Sequence, residues 1–200
     1  MTNKGPYLQP LKREDVPDLE PTFKAMEDWL GFLPNDLLTM ARLPMITAAF
    51  SQFCYTLMDE ATLSPQLLYL VTLMASATSG CRYCMAHTAN KSNELGMDAQ
   101  KVDAIWEFET SPLFDERERL ALGFAFKAAQ SPSTLEQSDF DDMATCFTET
   151  EVCEIVFIVA QMGFWNRWND SVATTIEATP LAFCKANLSQ DHWEAGKHDE

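Results

Sequence analysis

Apolar residues recur at helical spacing over most of this chain, and the alternation that marks a half-buried strand is not sustained anywhere. The seven glycines are scattered rather than gathered at turns. This pattern predicts an all-α fold, with helices near 22–31, 35–42, 44–60, 65–78, 81–95, 99–108, 113–130, 136–145 and 149–175. Several helix starts are legible. Ser64-Pro65 and Ser111-Pro112 each put a capping hydroxyl before a proline, Asp98 suits a cap for the following helix, and Thr148 to Glu151 has capping-box spacing. The first twenty residues and the last dozen lack periodicity and read as extended or frayed arms. The expected organisation is therefore an N-terminal arm (1–20), one helical bundle (21–187) and a polar C-terminal tail (188–200), with His192 and His198 in solvent.

An internal similarity accompanies the pattern. A shift of about 85 residues lays Tyr69–Ala75 over Glu154–Ala160, and Cys81-Arg82-Tyr83-Cys84 over Asn166-Arg167-Trp168-Asn169. The match is short, and two apolar helices align easily. It hints at two similar helical hairpin halves packed together.

Composition narrows the setting. With 46% apolar residues, 200 residues suffice for one buried core. Fourteen basic against thirty acidic residues give a net charge of −16, which disfavours nucleic acid and anionic membrane surfaces as partners. The longest apolar tract, Val152 to Trp165, contains Glu154 and falls short of a bilayer span, and the first ten residues hold no signal-like apolar core. A cytoplasmic protein is expected. There, six cysteines do not read as a disulfide framework, and Cys54, Cys146, Cys153 and Cys184 are expected as small buried core residues.

Cys81-Arg82-Tyr83-Cys84-Met85-Ala86-His87 is different. At about 100° per residue, positions i, i+3 and i+6 share one broad helical stripe. Ser79-Gly80 breaks the preceding helix, so the thiols would meet the positive end of a new one. That field, His87 one turn beyond Cys84, and Arg82 between the cysteines would each favour the reactive thiolate. Once one thiolate has reacted, the second is placed to close a disulfide. Zinc is a competing reading, but Cys81, Cys84 and His87 are three ligands where structural zinc takes four, and no second CxxC is present. Plain core packing is another. Thioredoxin is disfavoured, since its CxxC follows a strand.

Ser64-Pro65 before an apolar helix, then Ser79 to Thr88, resembles the carboxymuconolactone decarboxylase superfamily, and within it the branch of alkyl hydroperoxidase D and peroxidase-related proteins. Phe164 to Asp170 is similar to an aromatic–Asn–Arg segment of such proteins. The resemblance implies an all-helical, commonly homo-oligomeric thiol peroxidase without cofactor or metal. Cys84 would attack a small hydroperoxide, Cys81 would resolve the product, His87 would relay protons, and an external dithiol would restore the pair. One departure stands out. Tyr69 occupies the position where the resemblance expects a glutamate, and a phenol titrating near pH 10 is no carboxylate substitute. Glu154, the counterpart of Tyr69 under the internal shift, is the candidate replacement, beside its reading as an ordinary helical glutamate. Tyr69, Trp165 and Trp168 are candidate walls of a substrate pocket, beside a role for such aromatics in the core or a subunit interface. Two other functions remain open: a decarboxylase-like enzyme, against which the retained CxxC argues, and a non-enzymatic redox-responsive helical oligomer.

Overall fold

One helix without a charged residue organises the molecule. From Pro65 to Ser79 the sequence offers water no charged face, and every residue from Leu67 to Ala77 is buried. A helix apolar all round has to be surrounded. In the computed structural model, which describes residues 5–199, α4 (Pro65–Ser79) is packed by α5 (Arg82–Glu94), α7 (Glu116–Ala129) and α9 (Glu149–Val172). Its hydroxyls are satisfied within the helix, Thr72 donating to the Tyr69 carbonyl and Ser76 to that of Thr72. A second, smaller cluster of Leu19, Phe23, Met26, Leu37 and Ala41 ties α1 (Glu20–Leu30) and α2 (Asn35–Met40) together beside α3 (Pro44–Glu60). The remaining helices are α6 (Ala99–Asp103), α8 (Gln137–Met143) and α10 (Ala178–Asn187). The described residues form ten α-helices and no strand, and no helix among them is long and apolar enough to cross a membrane.

The all-α expectation holds, and the caps at Ser64, Asp98 and Thr148 form as read. Four expectations need correction. The helix expected from 113 begins at Glu116, because Asp115 and Glu118 close a capping box at 2.8 and 3.0 Å that Ser111 cannot offer. The helix α10 was not expected. Ala173, in the left-handed conformation at φ 53°, ends α9 early. Pro180, which reads as a breaker, lies in the first turn of α10, where amides have no helical partner to lose. Cys146 is only partly buried and Cys153 is exposed.

The arms are not frayed either, as far as they are described; residues 1–4 and Glu200 lie outside the described residues. Tyr7 donates its amide to the Val172 carbonyl (2.8 Å) and Leu11 to that of Leu38 (3.2 Å). At the other end the buried Trp193 indole donates to the Arg82 carbonyl (3.0 Å), while the Arg82 guanidinium donates to the His192 carbonyl (3.0 Å). His198 is 1% exposed, with Nδ1 2.7 Å from the Thr174 carbonyl, and His192 pairs with Asp103. The large indole of Trp193 gains from burial and keeps its N–H satisfied, which holds the tail down.

The aligned halves differ in shape at the point of interest. Residues 69–84 break at Gly80 into α4 and α5, whereas 154–169 run unbroken inside α9. Glu154 is buried and committed elsewhere: its carboxylate accepts from the Thr62 amide (3.0 and 3.1 Å), the Thr62 hydroxyl (2.8 Å) and the Leu63 amide (3.2 Å). It pins the loop that leads into α4. Hydrogen bonds to a charged group contribute about 1.5–3 kcal/mol each when made. Glu154→Ala is therefore expected to lower unfolding free energy by about 2–3 kcal/mol in urea titration, while alkylation of the Cys81–Cys84 pair proceeds at the wild-type rate. A slowed alkylation would return Glu154 to the site.

Candidate active site

Gly80, at φ 71°, turns the chain out of α4 in a conformation that a side chain would strain. Cys81 follows as the N-cap of α5, and its sulfur accepts from the Cys84 amide at 3.4 Å. Three residues on, Cys84 projects from the first turn of α5 into a cavity, and His87 follows one turn later on the same wall. Cys84 is 3% exposed and lines the cavity; Cys81 is 0% exposed and lies behind it.

The cavity measures about 120 Å³, and its walls are mostly apolar: Met26, Trp29, Met58, Tyr69, Met162 and Trp165. An apolar cavity of ~150 Å³ holds benzene and stays dry. The volume suits one small ring. Tyr69 and Trp165 thus stand where a substrate pocket was expected. Trp168 does not: it stacks on Phe164 at 6.4 Å, away from the lining, and its buried indole N–H has no partner among the described residues. Glu154 is also absent from this lining.

Two carboxylates that sequence reading passed over supply the acid groups. Glu177, the residue before α10, accepts from the Tyr83 hydroxyl (2.9 Å) and the Asn35 amide (2.5 Å), and its other oxygen meets His87 Nε2 at 2.5 Å. Burial opposes charge on His87, but the charge and hydrogen bond of Glu177 outweigh it and hold the imidazole above its ordinary value. Burial opposes charge on Glu177 too, yet His87 and the Asn35 amide hold it below its own. The two form an ion pair, over which the Tyr83 ring stacks on His87 at 4.2 Å.

Asp36, on α2, is the second. It is 7% exposed and lines the cavity, where burial pushes it up to about 6 against the pull of His87 and Asn169. The Asn169 amide nitrogen donates to Asp36 Oδ2 at 3.0 Å and also lies 3.6 Å from Cys84 Sγ. Asn169 is the residue that the 85-residue shift laid over Cys84, and the two meet in the site.

The resting thiol is not acidic. Burial drives Cys84 well above the ordinary thiol value, Cys81 and Asp36 add to the rise, and Asn169 only partly opposes it. The expected activation by the helix terminus, His87 and Arg82 is outweighed: desolvation dominates, His87 is engaged by Glu177, and Arg82 reaches back to the tail. Neither acid left a clear signal in the sequence. Asp36 reads as a first-turn acid suited to the helix dipole, and Glu177 precedes a helix that its proline concealed.

Residues 44–127 match the Carboxymuconolactone decarboxylase family. The debrominase Bmp8, solved in its apo form, is 38% identical, with 89% of this chain and 96% of that one aligned at a TM-score of 0.82. A cysteine-to-alanine variant of Bmp8 solved with 2,3,4-tribromopyrrole gives 37%, 90%, 96% and 0.83 for the same quantities. An uncharacterised peroxidase-related protein from Ralstonia eutropha JMP134, described as an alkylhydroperoxidase AhpD core, shares the fold at a TM-score of 0.78 and 21% identity, covering 88% of this chain and 94% of that one. Uncharacterized protein YnjA of Escherichia coli (strain K12) is 26% identical over 132 residues, which is 66% of this chain and 72% of that protein.

The ion pair has a pH signature. His87, raised above 6.5, contributes stability fully present below that value and lost as pH climbs through its native one. Glu177, lowered below 4.5, contributes stability present above 4.5 and lost on acidification through its native value. The pair is worth most between about pH 4.5 and 6.5. Glu177→Gln is expected to lose more stability at pH 5.5 than at pH 8.5 in matched urea titrations; equal losses would mean that no ion pair forms.

Proposed function

The chain belongs to the carboxymuconolactone decarboxylase family and has the alkylhydroperoxidase D-like helical fold, and from that premise we propose that it is a dithiol enzyme that reductively dehalogenates a small halogenated aromatic ring. The observation that carries this reading is the cavity: Cys84 opens into an apolar, aromatic- and methionine-walled space of one-ring size. The similarity to Bmp8 over nearly the whole chain supports the same class.

The chemistry follows from where the two sulfurs lie. Cys84, as thiolate, attacks the halogen; the sulfur–halogen bond forms as the carbon–halogen bond breaks, and the ring carbon keeps the electron pair and takes a proton. Cys81, three residues back, then attacks Cys84 sulfur, a disulfide forms and halide leaves. The ring carbon is reduced by two electrons and the two thiols are oxidised by two. The apolar walls around Cys84 limit water at the sulfur–halogen intermediate. His87, whose protonated form Glu177 favours, is placed to offset the negative charge that the thiolate and ring carbon carry in turn. An external dithiol reopens the disulfide.

Reduction of a hydroperoxide is the second reading. It needs the same attacking and resolving thiols, with oxygen in place of halogen, and the shared fold with peroxidase-related proteins favours it. A glutamate at position 69 is not required under either reading, since Asp36 and Glu177 bring carboxyl groups to the site from other elements.

One assay separates the two. Reduced protein is mixed with brominated pyrroles, brominated phenols and alkyl hydroperoxides, and bromide, peroxide and free thiol are followed together. Bromide release matched by loss of two thiols per halogen is expected; peroxide loss without bromide would select the second reading. Cys84→Ser should abolish turnover, and Cys81→Ser should leave a modified Cys84 with no intramolecular disulfide. Turnover surviving in Cys84→Ser would sink both.

A further inference from the structure

Dehalogenation leaves an electron pair on the ring carbon, and an acid inside the cavity has to supply the proton that replaces the halogen. Building on the dehalogenase reading, we propose that Asp36 is that acid. It lines the same cavity as Cys84 and is buried, with no direct ion pair among the described residues, although the charge of His87 acts on it. One amide nitrogen, that of Asn169, reaches both the Asp36 carboxyl and the Cys84 sulfur, at 3.0 and 3.6 Å. Acid and nucleophile therefore sit at one corner, on either side of a single side-chain amide with two hydrogens to give.

Charge bookkeeping favours the same assignment. The corner is buried, and two anions there repel, as the effect of Asp36 on Cys84 shows. With one proton between them, the pair holds one negative charge, either as thiolate with carboxylic acid or as thiol with carboxylate. The reactive arrangement is the first. As the sulfur binds halogen it loses its negative charge, and the Asp36 proton passes to the ring carbon; the single charge moves from sulfur to carboxylate. The cavity never holds two. His87 is another proton-bearing group on the wall, but its Nε2 is committed to Glu177, and giving up its proton would take a charged partner from that buried carboxylate.

The titratable groups around Asp36 are Cys84, Tyr83, His87 and Lys91 of α5, Cys54 of α3, Tyr69 of α4 and Glu177 before α10. Lys91 is occupied by the Trp29 carbonyl and Glu94. Below about pH 6 Asp36 and Cys84 hold two protons, and above it they share one. Only the shared-proton state reacts, so the rate should rise through about pH 6 and then level.

The test is single-turnover bromide release from 2,3,4-tribromopyrrole and its fully brominated counterpart across pH 4.5–9, using reduced wild type, Asp36→Asn and His87→Gln. Asp36→Asn should slow release by about 100-fold or more and erase the limb near pH 6, while iodoacetamide alkylates its Cys84 at least as fast as in wild type, because a repelling charge is gone. His87→Gln should keep the limb. Asp36→Asn that retains both the limb and a rate within about threefold of wild type, or a limb lost in His87→Gln instead, would overturn the assignment while the dehalogenase reading stands. A wild type that releases no bromide would overturn that reading, and Asp36 as its acid with it.

Discussion

The burial of α4 is the constraint on which the rest depends. A fifteen-residue helix without charge has to be covered on every side, and the elements that cover it are those that carry the chemistry. Ser79 and Gly80 reach the surface where α4 ends, and the chain turns inward again at once, so that the first turn of α5 packs back against α4 and α9. That packing buries Cys81 and Cys84, and no demand of the thiols themselves is needed. Burial then sets the electrostatics: a thiol in such a place resists ionisation, and carboxyl groups near it either pair with a cation or hold their protons.

Both outcomes occur around one site. Glu177 pairs directly with His87 and is held down; at Asp36 the Asn169 amide and the pull of His87 do not offset burial, and it rises. Two acids of the same chemistry thus acquire different characters through what stands beside them. The site this makes is poor at presenting a free thiolate in the resting protein and well arranged to share one negative charge between sulfur and carboxyl.

Much of the fold was legible because helix signals are local. Periodicity placed nine helices, and Ser64, Asp98 and Thr148 cap as their spacing indicates. The failures are non-local. The helix α10 was not expected, and its Pro180 falls in the first turn, where its missing amide is harmless. The tail looked polar because Trp193 and His198 are few among charged neighbours, though those two side chains hold it against α5 and the end of α9. Glu154 looked available for catalysis because the alignment that named it carried no information about Thr62 and Leu63.

By itself the sequence determined the all-helical architecture, the place of the dithiol at a helix start and the order of Cys81, Cys84 and His87 along it, since each depends on neighbours within about two turns. Tertiary structure alone decided which sulfur faces the cavity, which acids attend it and how each ionises. Asp36, Asn169 and Glu177 lie on three different elements, and they meet Cys84 and His87 only when α4 is enclosed. The free energy of a charge depends on those distant neighbours and on the exclusion of water, neither of which is encoded in local spacing.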